Sequence, residues 1–240
     1  MGFSIDHCPL SIVHCPFRIV HCPLSILHFA LSIVLLCSMT SCSDDDDEVY
    51  PSLISDFVMA QSNSEGHVSF ILTDDGQRYA VENNISGMSA DTVARAICSY
   101  VILQEPTNIP SILVYSITGI PVMYNCTSLP SIHRDPTDVA GVWSSGGYIN
   151  LHLLPLTQGK FQNWGFIEDS LSANDAGTTT HHLSIYHEQL NDPTSYTGHI
   201  YASISPDSLR EAHPAGDSIL LSINTFKGPM SWHFALPLVH

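Results

Sequence analysis

Basic residues are scarce in this sequence. Only seven of its 240 residues are Lys or Arg, against 23 Asp or Glu, and the formal net charge is −16. The basic residues lie singly along the chain and form no cluster. Because proteins bind nucleic acid largely by neutralising phosphates with Lys and Arg, this composition excludes a nucleic-acid partner.

Cysteine is also scarce beyond the N-terminal segment. Five of the seven cysteines lie within the first 42 residues, and only Cys98 and Cys126 follow. Two cysteines cannot form a disulfide-rich scaffold. Two alternatives stay open for them: a pair of buried free thiols, which is the more common outcome, or a single disulfide bridge.

Sequence motifs of hydrolytic enzymes are missing. The chain contains no G-x-S-x-G and no H-E-x-x-H. The stretch "SSGG" at 144–147 precedes a strand pattern and not a helix, so it predicts a β-turn and not a phosphate-binding loop. We expect no cofactor.

A seven-residue unit repeats at the N-terminus, with His at positions 7, 14, 21 and 28. Pro recurs at 9, 16 and 23, and each interior Pro costs a helix about 3 kcal/mol, which excludes a coiled coil. The His-Cys pairs do not have the spacing of a metal site. The repeat is typical of a tandem duplication in the coding DNA, either within a leader or upstream of the true start codon.

An apolar segment at 24–36 follows the repeat and has the length of a secretory h-region. It leads into "MTSC" and then into an acidic run, Ser43, Asp44, Asp45, Asp46 and Asp47. This order resembles a bacterial lipoprotein signal with Cys42 as the acylated residue, followed by the export tag of Bacteroidetes surface lipoproteins. The resemblance implies a signal peptide over 1–41 (removed or untranslated) and a lipidated, acidic segment over 42–48. It also implies a lipid anchor that holds the protein on the outer membrane, at the cell surface.

Residues 49–128 carry the patterns of β-strands. Alternating or short apolar runs occupy 52–61, 67–82, 91–103 and 111–125, and "DDG" at 74–76 is a strong hairpin signal. We interpret 91–103 as a strand because Ile, Val and Tyr dominate its second half. Five strands in this length are typical of a small OB-like barrel.

A second strand-rich region covers 138–240, after a segment rich in Pro and Asp at 129–141. It contains six or seven short strand patterns separated by turn residues, together with all three tryptophans. This spacing predicts an antiparallel β-sandwich. The predicted fold class is therefore all-β, with an OB-like barrel followed by a β-sandwich.

Three stretches of the second region resemble the NigD-like proteins of Bacteroidetes. They are "VWSSGGYINLHL" at 142–153, the stretch 181–209 that begins "HHLSIYHEQ", and "ILLSINTFKGPMSWHFAL" at 219–236. With the acidic run after Cys42, the resemblance spans most of 42–240. It implies a lipoprotein with an OB-like barrel and a C-terminal β-sandwich, and a bacteriocin-associated role in production or immunity.

One strand pattern contains the candidate metal ligands, of which His182, His187 and Glu188 are weak candidates. His182 and Glu188 would share one face of the strand, and His181 and His187 the other. A zinc site would need a further ligand from a neighbouring strand, for which the candidates are His152, His199 and His233. Histidines on the surface of a sandwich are the competing interpretation.

Other polar residues are assigned to turns. The carboxylate pairs Asp74–Asp75 and Glu168–Asp169 are expected to be solvated there. "DSL" at 169–171 and 207–209 resembles the O-glycosylation sequence of Bacteroidetes. We expect modification of Ser170 and Ser208, because both are predicted near turns.

These observations favour a non-enzymatic surface lipoprotein that binds an unknown protein, peptide or glycan partner. The alternative is a metal-assisted hydrolase that uses the His cluster of the β-sandwich. The two hypotheses differ in whether three of these side chains converge on one point, as ion ligation requires.

Overall fold

The computed structural model describes residues 52–103, 110–173, 177–209, 216–236 and 238. The predicted lipidation and export residues, Cys42, Ser43 and Asp44 to Asp47, lie outside the described residues, and so does the N-terminal repeat. All described residues fall within one compact unit of the chain. Among these residues no helix has the length and apolar character to cross a bilayer.

The first five strands close into a barrel. They are β1 (Ile54–Ser62), β2 (Val68–Thr73), β3 (Arg78–Val81), β4 (Val93–Ile102) and β5 (Ser111–Gly119). Hydrogen bonds join them in the order β1-β2-β3-β5-β4, and β4 returns to β1. The β3–β5 pairing is parallel and the other four are antiparallel. This closed five-stranded arrangement confirms the predicted OB-like barrel.

Side chains alternate between the two faces of each strand, and those that face inward form the barrel interior. Val58 and Ala60 of β1 point inward, as do Ala96, Cys98 and Tyr100 of β4, and together they form most of one buried cluster. The β2–β3 hairpin turns at the predicted "DDG". Cys98 and Cys126 are both buried free thiols, which confirms the more common of the two alternatives.

The remaining strands form two facing sheets and a two-stranded ribbon. The first sheet has the order β10-β11-β14-β15, the second β6-β13-β8-β7, and the ribbon joins β9 and β12. The strands are β6 (Val122–Met123), β7 (Asp138–Ser145), β8 (Tyr148–Leu154), β9 (Leu156–Thr157), β10 (Asn163–Ala173), β11 (Thr179–Glu188), β12 (Tyr196–Thr197), β13 (Ile200–Ile204), β14 (Ser218–Thr225) and β15 (Gly228–Ala235).

Inward-facing aliphatic residues from both sheets form the sandwich core. Leu151 and Leu153 from one sheet and Leu183 and Leu221 from the other are buried in a single cluster. The predicted β-sandwich is confirmed, with one refinement. Two of its pairings, β11–β14 and β6–β13, are parallel, because long connections return the chain to the sheets in the same direction.

The chain crosses from barrel to sandwich within two residues. β5 ends at Gly119 and β6 begins at Val122, where it pairs with β13 of the second sheet. The Ile120 amide donates to the Arg95 carbonyl of the barrel (2.9 Å), and the Ser203 amide of the sandwich donates to the Pro121 carbonyl (3.0 Å). The sandwich therefore begins before the expected boundary at residue 128, because β6 has left the barrel.

Candidate functional site

The outer face of the second sheet packs against the barrel wall. Phe57 points outward from β1, and its ring meets that of Trp143 on β7 edge to face, with centroids 5.2 Å apart and an interplanar angle of 88°. Its other side contacts the ring of Tyr201 on β13 at 6.1 Å. Aromatic pairs of this geometry are favourable beyond the area that they bury. The junction between the two folds is therefore a packed interface.

Arg95 lies at the centre of this junction. It projects outward from β4 and is only 3% exposed. Its guanidinium forms a two-pronged ion pair with Asp74 in the β2–β3 turn, with Nη2 donating to Oδ2 at 2.7 Å. Nη2 also donates to Asn150 Oδ1 of β8 (3.0 Å), and Nε to Ser203 Oγ of β13 (3.4 Å). One buried cation thus joins the barrel to two strands of the sandwich.

Neutral groups complete the hydrogen bonding around this ion pair. Ser145 Oγ donates to Asp74, Ser203 Oγ donates to Asn150 Oδ1 (2.7 Å), and Asn150 Nδ2 donates to Ser145 Oγ (2.9 Å). The Arg95 guanidinium also lies 4.4 Å from the centre of the Tyr148 ring, a cation–π contact. Buried charges need hydrogen-bond partners of this kind to offset the loss of their hydration.

The "SSGG" stretch makes this approach possible. Ser145 pairs with Tyr148 across a two-residue hairpin turn, in which Gly146 and Gly147 have φ of +58° and +78°. The predicted β-turn is therefore confirmed. A side chain at Gly146 would collide with the Asp74 carboxylate, so only Gly lets Asp74 reach both the turn and Arg95.

An open cleft of about 600 Å³ lies beside this network. We call it the junction cleft, and its lining combines two aromatic rings, three carboxylates and three hydroxyls: Phe57 and Trp143, then Asp56, Asp74 and Asp75, then Ser55, Thr73 and Ser145. Both the barrel and the sandwich contribute. Concave sites with apolar walls and a few convergent polar groups are where proteins most often bind ligands.

The three carboxylates of the cleft differ in their partners. Asp74 is paired with Arg95. Asp75 is exposed, and the hydrogen bond from the Thr73 hydroxyl holds its pKa below the ordinary value. Asp56 accepts a hydrogen bond from the Tyr100 hydroxyl (2.8 Å); burial, followed by this bond, raises the pKa of Tyr100. Among the described residues no cation pairs with Asp56 or Asp75, so the cleft keeps negative charge that an incoming cation could neutralise.

The weak metal candidates of β11 do not converge. His182 bonds Ser172 Oγ at 2.8 Å, on the outer face. His187 is buried, stacks on Trp164 at 3.8 Å, and contacts Gln162 Oε1 and the Asp135 carbonyl, each at 2.9 Å. Glu188 accepts hydrogen bonds from Asn163 (2.8 Å) and Tyr186 (3.0 Å). Within the described part of the chain, no three His, Cys, Asp or Glu side chains come together as a possible metal site.

Two of the three candidate partner histidines meet each other instead. His152 Nε2 and His199 Nδ1 are 2.9 Å apart, and the rings tilt by 36°. The other face of His152 stacks on Tyr201, with centroids 4.2 Å apart. Burial, followed by the nearby His199, lowers the pKa of His152. This pair lies on the second sheet, so neither residue joins the β11 set.

The expected solvation of Glu168 and Asp74 is wrong. Glu168 is 1% exposed and accepts from His181 Nδ1 (2.9 Å), while His181 Nε2 lies 3.8 Å from Asp217. The predicted turn at 168–169 is the interior of β10, where Glu168 pairs with inward-facing Leu183 before a β-bulge. Asp75 and Asp169 are exposed as expected.

The two serines expected to carry glycans lie in different settings. Ser170 is exposed but lies within β10 and not near a turn, because β10 continues to Ala173. Ser208 ends the 3₁₀ turn Pro206–Ser208 and is half-buried. The expected location near a turn is therefore correct for Ser208 and wrong for Ser170.

Known proteins are similar to this chain in sequence or in fold. Residues 121–235 match the family model of the NigD-like C-terminal beta sandwich domain. No curated protein sequence matches the chain.

Solved structures share the fold across barrel and sandwich together. A NigD-like immunity protein from Bacteroides caccae is 20% identical with a TM-score of 0.60, and the match covers 78% of this chain and 99% of that one. A predicted toxin-related protein from Parabacteroides distasonis is 18% identical with a TM-score of 0.58, covering 76% and 92%. A predicted lipoprotein from Bacteroides fragilis is 13% identical with a TM-score of 0.53, covering 79% and 98%. Similarity at these identities shows a common fold.

Proposed function

Because the chain belongs to the NigD-like proteins through its C-terminal domain at residues 121–235, we propose that it is a non-enzymatic lipoprotein of the cell surface. We propose further that it binds a basic segment of a peptide or protein partner in the junction cleft. The family resemblance drawn from the sequence is confirmed. The single observation that carries the partner proposal is the lining of the cleft, where aromatic rings lie beside the exposed carboxylate of Asp75, which pairs with no cation among the described residues.

The chemistry of the cleft favours a basic partner over the other classes. The stem of a Lys or Arg side chain packs on an aromatic ring while its charged end meets a carboxylate. The rings of Phe57 and Trp143 and the exposed carboxylate of Asp75 offer these two kinds of contact in one concavity. The Asp56 carboxylate instead points inward from β1 and accepts the hydrogen bond of Tyr100. A chain of formal charge −16 would also attract a basic partner over distance. A neutral glycan would use the rings but not the charge.

The hydrogen-bond network at one wall of the cleft supports the binding proposal. Arg95 holds Asp74, Asn150 and Ser203 in one network, so the cleft walls are set before any partner arrives. A site that is already organised avoids part of the entropy cost of binding.

Binding can be tested with peptides by following the tryptophan fluorescence, to which Trp143 of the cleft contributes. The probes are an oligo-arginine peptide, an oligo-glutamate peptide of equal length and a neutral glucose oligosaccharide. We expect the basic peptide alone to bind, less tightly as salt rises, and Asp75→Asn to weaken it about tenfold, near 1.4 kcal/mol. Asp207→Asn is the matched control, since it also removes one exposed carboxylate. Equal weakening by the control, or equal binding of another probe, would overturn the proposal.

The lipid anchor has its own test. Cys42→Ala should release the protein from the membrane fraction, because each buried methylene of an acyl chain contributes about 0.8 kcal/mol. Cys37→Ala, which changes a cysteine of the apolar leader, should leave fractionation unchanged. Replacing Asp44 to Asp47 by Asn should keep the protein in membranes but hide it from protease added to intact cells. Retention of Cys42→Ala in membranes contradicts the anchor.

A bacteriocin-associated role is supported by the names of two structural relatives, the immunity protein from Bacteroides caccae and the toxin-related protein from Parabacteroides distasonis. In this protein a basic toxin segment would be a fitting occupant of the cleft. Cells that lack the gene should become more sensitive to the cognate toxin if the role is immunity. Unchanged sensitivity of the deletion strain refutes immunity and leaves partner binding to the peptide test.

Glycosylation of Ser170 and Ser208 remains a proposal about the native protein. The exposure of Ser170 supports it more strongly than the half-buried position of Ser208. The intact mass of protein isolated from cells should exceed the sequence mass by whole sugar units, and Ser170→Ala should remove part of the excess. A mass equal to that of the unmodified chain contradicts the proposal.

A further inference from the structure

We propose a binding site at one end of the barrel, independent of the junction cleft, that takes a small neutral molecule with an apolar body. A cavity of about 460 Å³ opens there between β1, β4, β5 and the segment that leads into β4. We call it the barrel-end cavity, and its lining includes the buried Ala60 and Ala96 together with Met88, Ala94 and Ile117. Pockets for small ligands commonly measure about 300–1,000 Å³, so the volume suits one such molecule.

Small side chains leave this end of the barrel unfilled. Ala60 of β1 pairs with Ala94 of β4, and Ala96 of β4 pairs with Gly119 of β5. Two residues further along β4 than Cys98, which is also buried, the ring of Tyr100 fills the interior. Protein interiors leave few voids larger than a water molecule, so a space of this size at the barrel end is available to a ligand.

The lining of the barrel-end cavity carries no charge, although the chain has a formal charge of −16. Ser86 and Ser89 lie at its exposed rim, and within the described chain no hydrogen bond engages either hydroxyl. A ligand can therefore bury an apolar body against Ala60 and Ile117 and keep one hydroxyl or carbonyl group at the rim. A charged group would lose hydration without gaining a partner in the lining, and the acidic chain also repels anions.

The segment between β3 and β4 forms one wall of the cavity and is fixed at both ends. The Asn83 side chain donates to the Val114 carbonyl (2.7 Å) and accepts from the Val114 amide (2.9 Å). At the other end the Thr92 amide donates to Ser62 Oγ (3.0 Å). Between these points Met88 packs against the barrel core. Because a Met side chain adapts its shape readily, this wall can fit a ligand while its ends stay in place.

Photo-crosslinking to protein isolated from cells tests the site. The probe is decanol that carries a diazirine, and the crosslinked residues are mapped by peptide mass spectrometry. We expect crosslinks at Met88 and Ile117, which unlabelled decanol should suppress at a concentration about tenfold lower than decanoate. Ala94→Phe fills the cavity and should abolish these crosslinks. Val93→Phe is the matched control and should keep them, because Val93 lies on the opposite face of β4 and is 60% exposed.

Three results would overturn the site. Crosslinks of the wild-type protein that fall outside the cavity lining show that the alcohol does not bind there. Persistence of the crosslinks in Ala94→Phe, or their equal loss in Val93→Phe, contradicts binding inside the cavity. Equal suppression by decanol and decanoate contradicts the preference for a neutral ligand. Because the crosslinked positions of the wild type require no substitution, the test stays valid even if Ala94→Phe disturbs folding.

Discussion

Replacing Asp74 by Ala would leave the Arg95 guanidinium buried without its counter-charge. The Arg95 side chain is 1% exposed and its Asp74 partner 14%. In the variant Arg95 keeps the neutral acceptors Asn150 and Ser203. Removing one member of a buried ion pair costs about 3–5 kcal/mol, and the Ser145 hydroxyl also loses its acceptor, at about 1 kcal/mol. Since domains of this kind have about 5–15 kcal/mol of stability in total, Asp74→Ala should be marginally stable.

Urea unfolding measures this effect against an internal standard. The unfolding midpoint is followed by tryptophan fluorescence and by circular dichroism, and Asp169→Ala serves as the control. Asp169 pairs with Arg134 on the surface, where the two side chains are 37% and 42% exposed. A surface pair is worth about 0–1 kcal/mol, so this variant should unfold close to wild type.

A double variant separates the buried charge from the lost contact. If the unpaired guanidinium causes the damage, Asp74→Ala combined with Arg95→Met should be more stable than Asp74→Ala alone, because an apolar side chain of similar size needs no counter-charge. Equal loss in Asp74→Ala and Asp169→Ala, or a double variant less stable than the single one, would refute the reasoning.

Three further predictions address single positions. Gly146→Ala should lose more stability than Gly76→Ala in equilibrium unfolding. Both glycines have a positive φ, which costs an Ala about 1–2 kcal/mol, but only a side chain at position 146 would also collide with the Asp74 carboxylate. Equal losses of stability in the two variants would contradict this collision. The pKa of Glu188 lies below the ordinary value of 4.5, and the hydrogen bond from Asn163 is the main cause. That stabilisation is present above pH 4.5 and is lost as pH falls through the folded value; Asn163→Ala should raise the Glu188 pKa in an NMR titration, and an unmoved midpoint contradicts this cause. Burial, followed by Asp56, raises the pKa of Cys98 to about 11, so its thiol should react with iodoacetamide only on unfolding, and rapid labelling at pH 8 would be inconsistent.

Local sequence patterns predicted the strands because apolar, inward-facing residues recur at every second position. The hairpin at "DDG" and the turn at "SSGG" followed from turn chemistry that involves only neighbouring residues. The parallel β3–β5 pairing and the placement of β6 in the sandwich did not follow, since nothing local to a strand specifies which distant strand it joins.

The junction was hidden from the sequence for the same reason. Arg95 belongs to a strand pattern in which an outward Arg normally meets solvent, and Asp74 belongs to an exposed turn motif. Only the docking of the barrel on the sandwich buries both. One signal was present: Arg95 is one of only seven basic residues, and a cation so scarce in an acidic chain is a reasonable place to look for a structural ion pair. The burial of Glu168 depends on the length of β10, which its run of small polar residues did not indicate.

The two-residue crossing at Ile120 and Pro121 bears on how the cleft would select the proposed partner. Its backbone is hydrogen-bonded to the barrel on one side and to the sandwich on the other, and Pro121 has a fixed φ. We therefore expect little hinge motion at this crossing and a nearly constant aperture of the cleft. If the proposed partner binds there, we expect a segment that is too bulky for the cleft to be excluded by its size. Selectivity among partners would then change through substitutions of the lining residues, while the width of the opening is inherited with the fold.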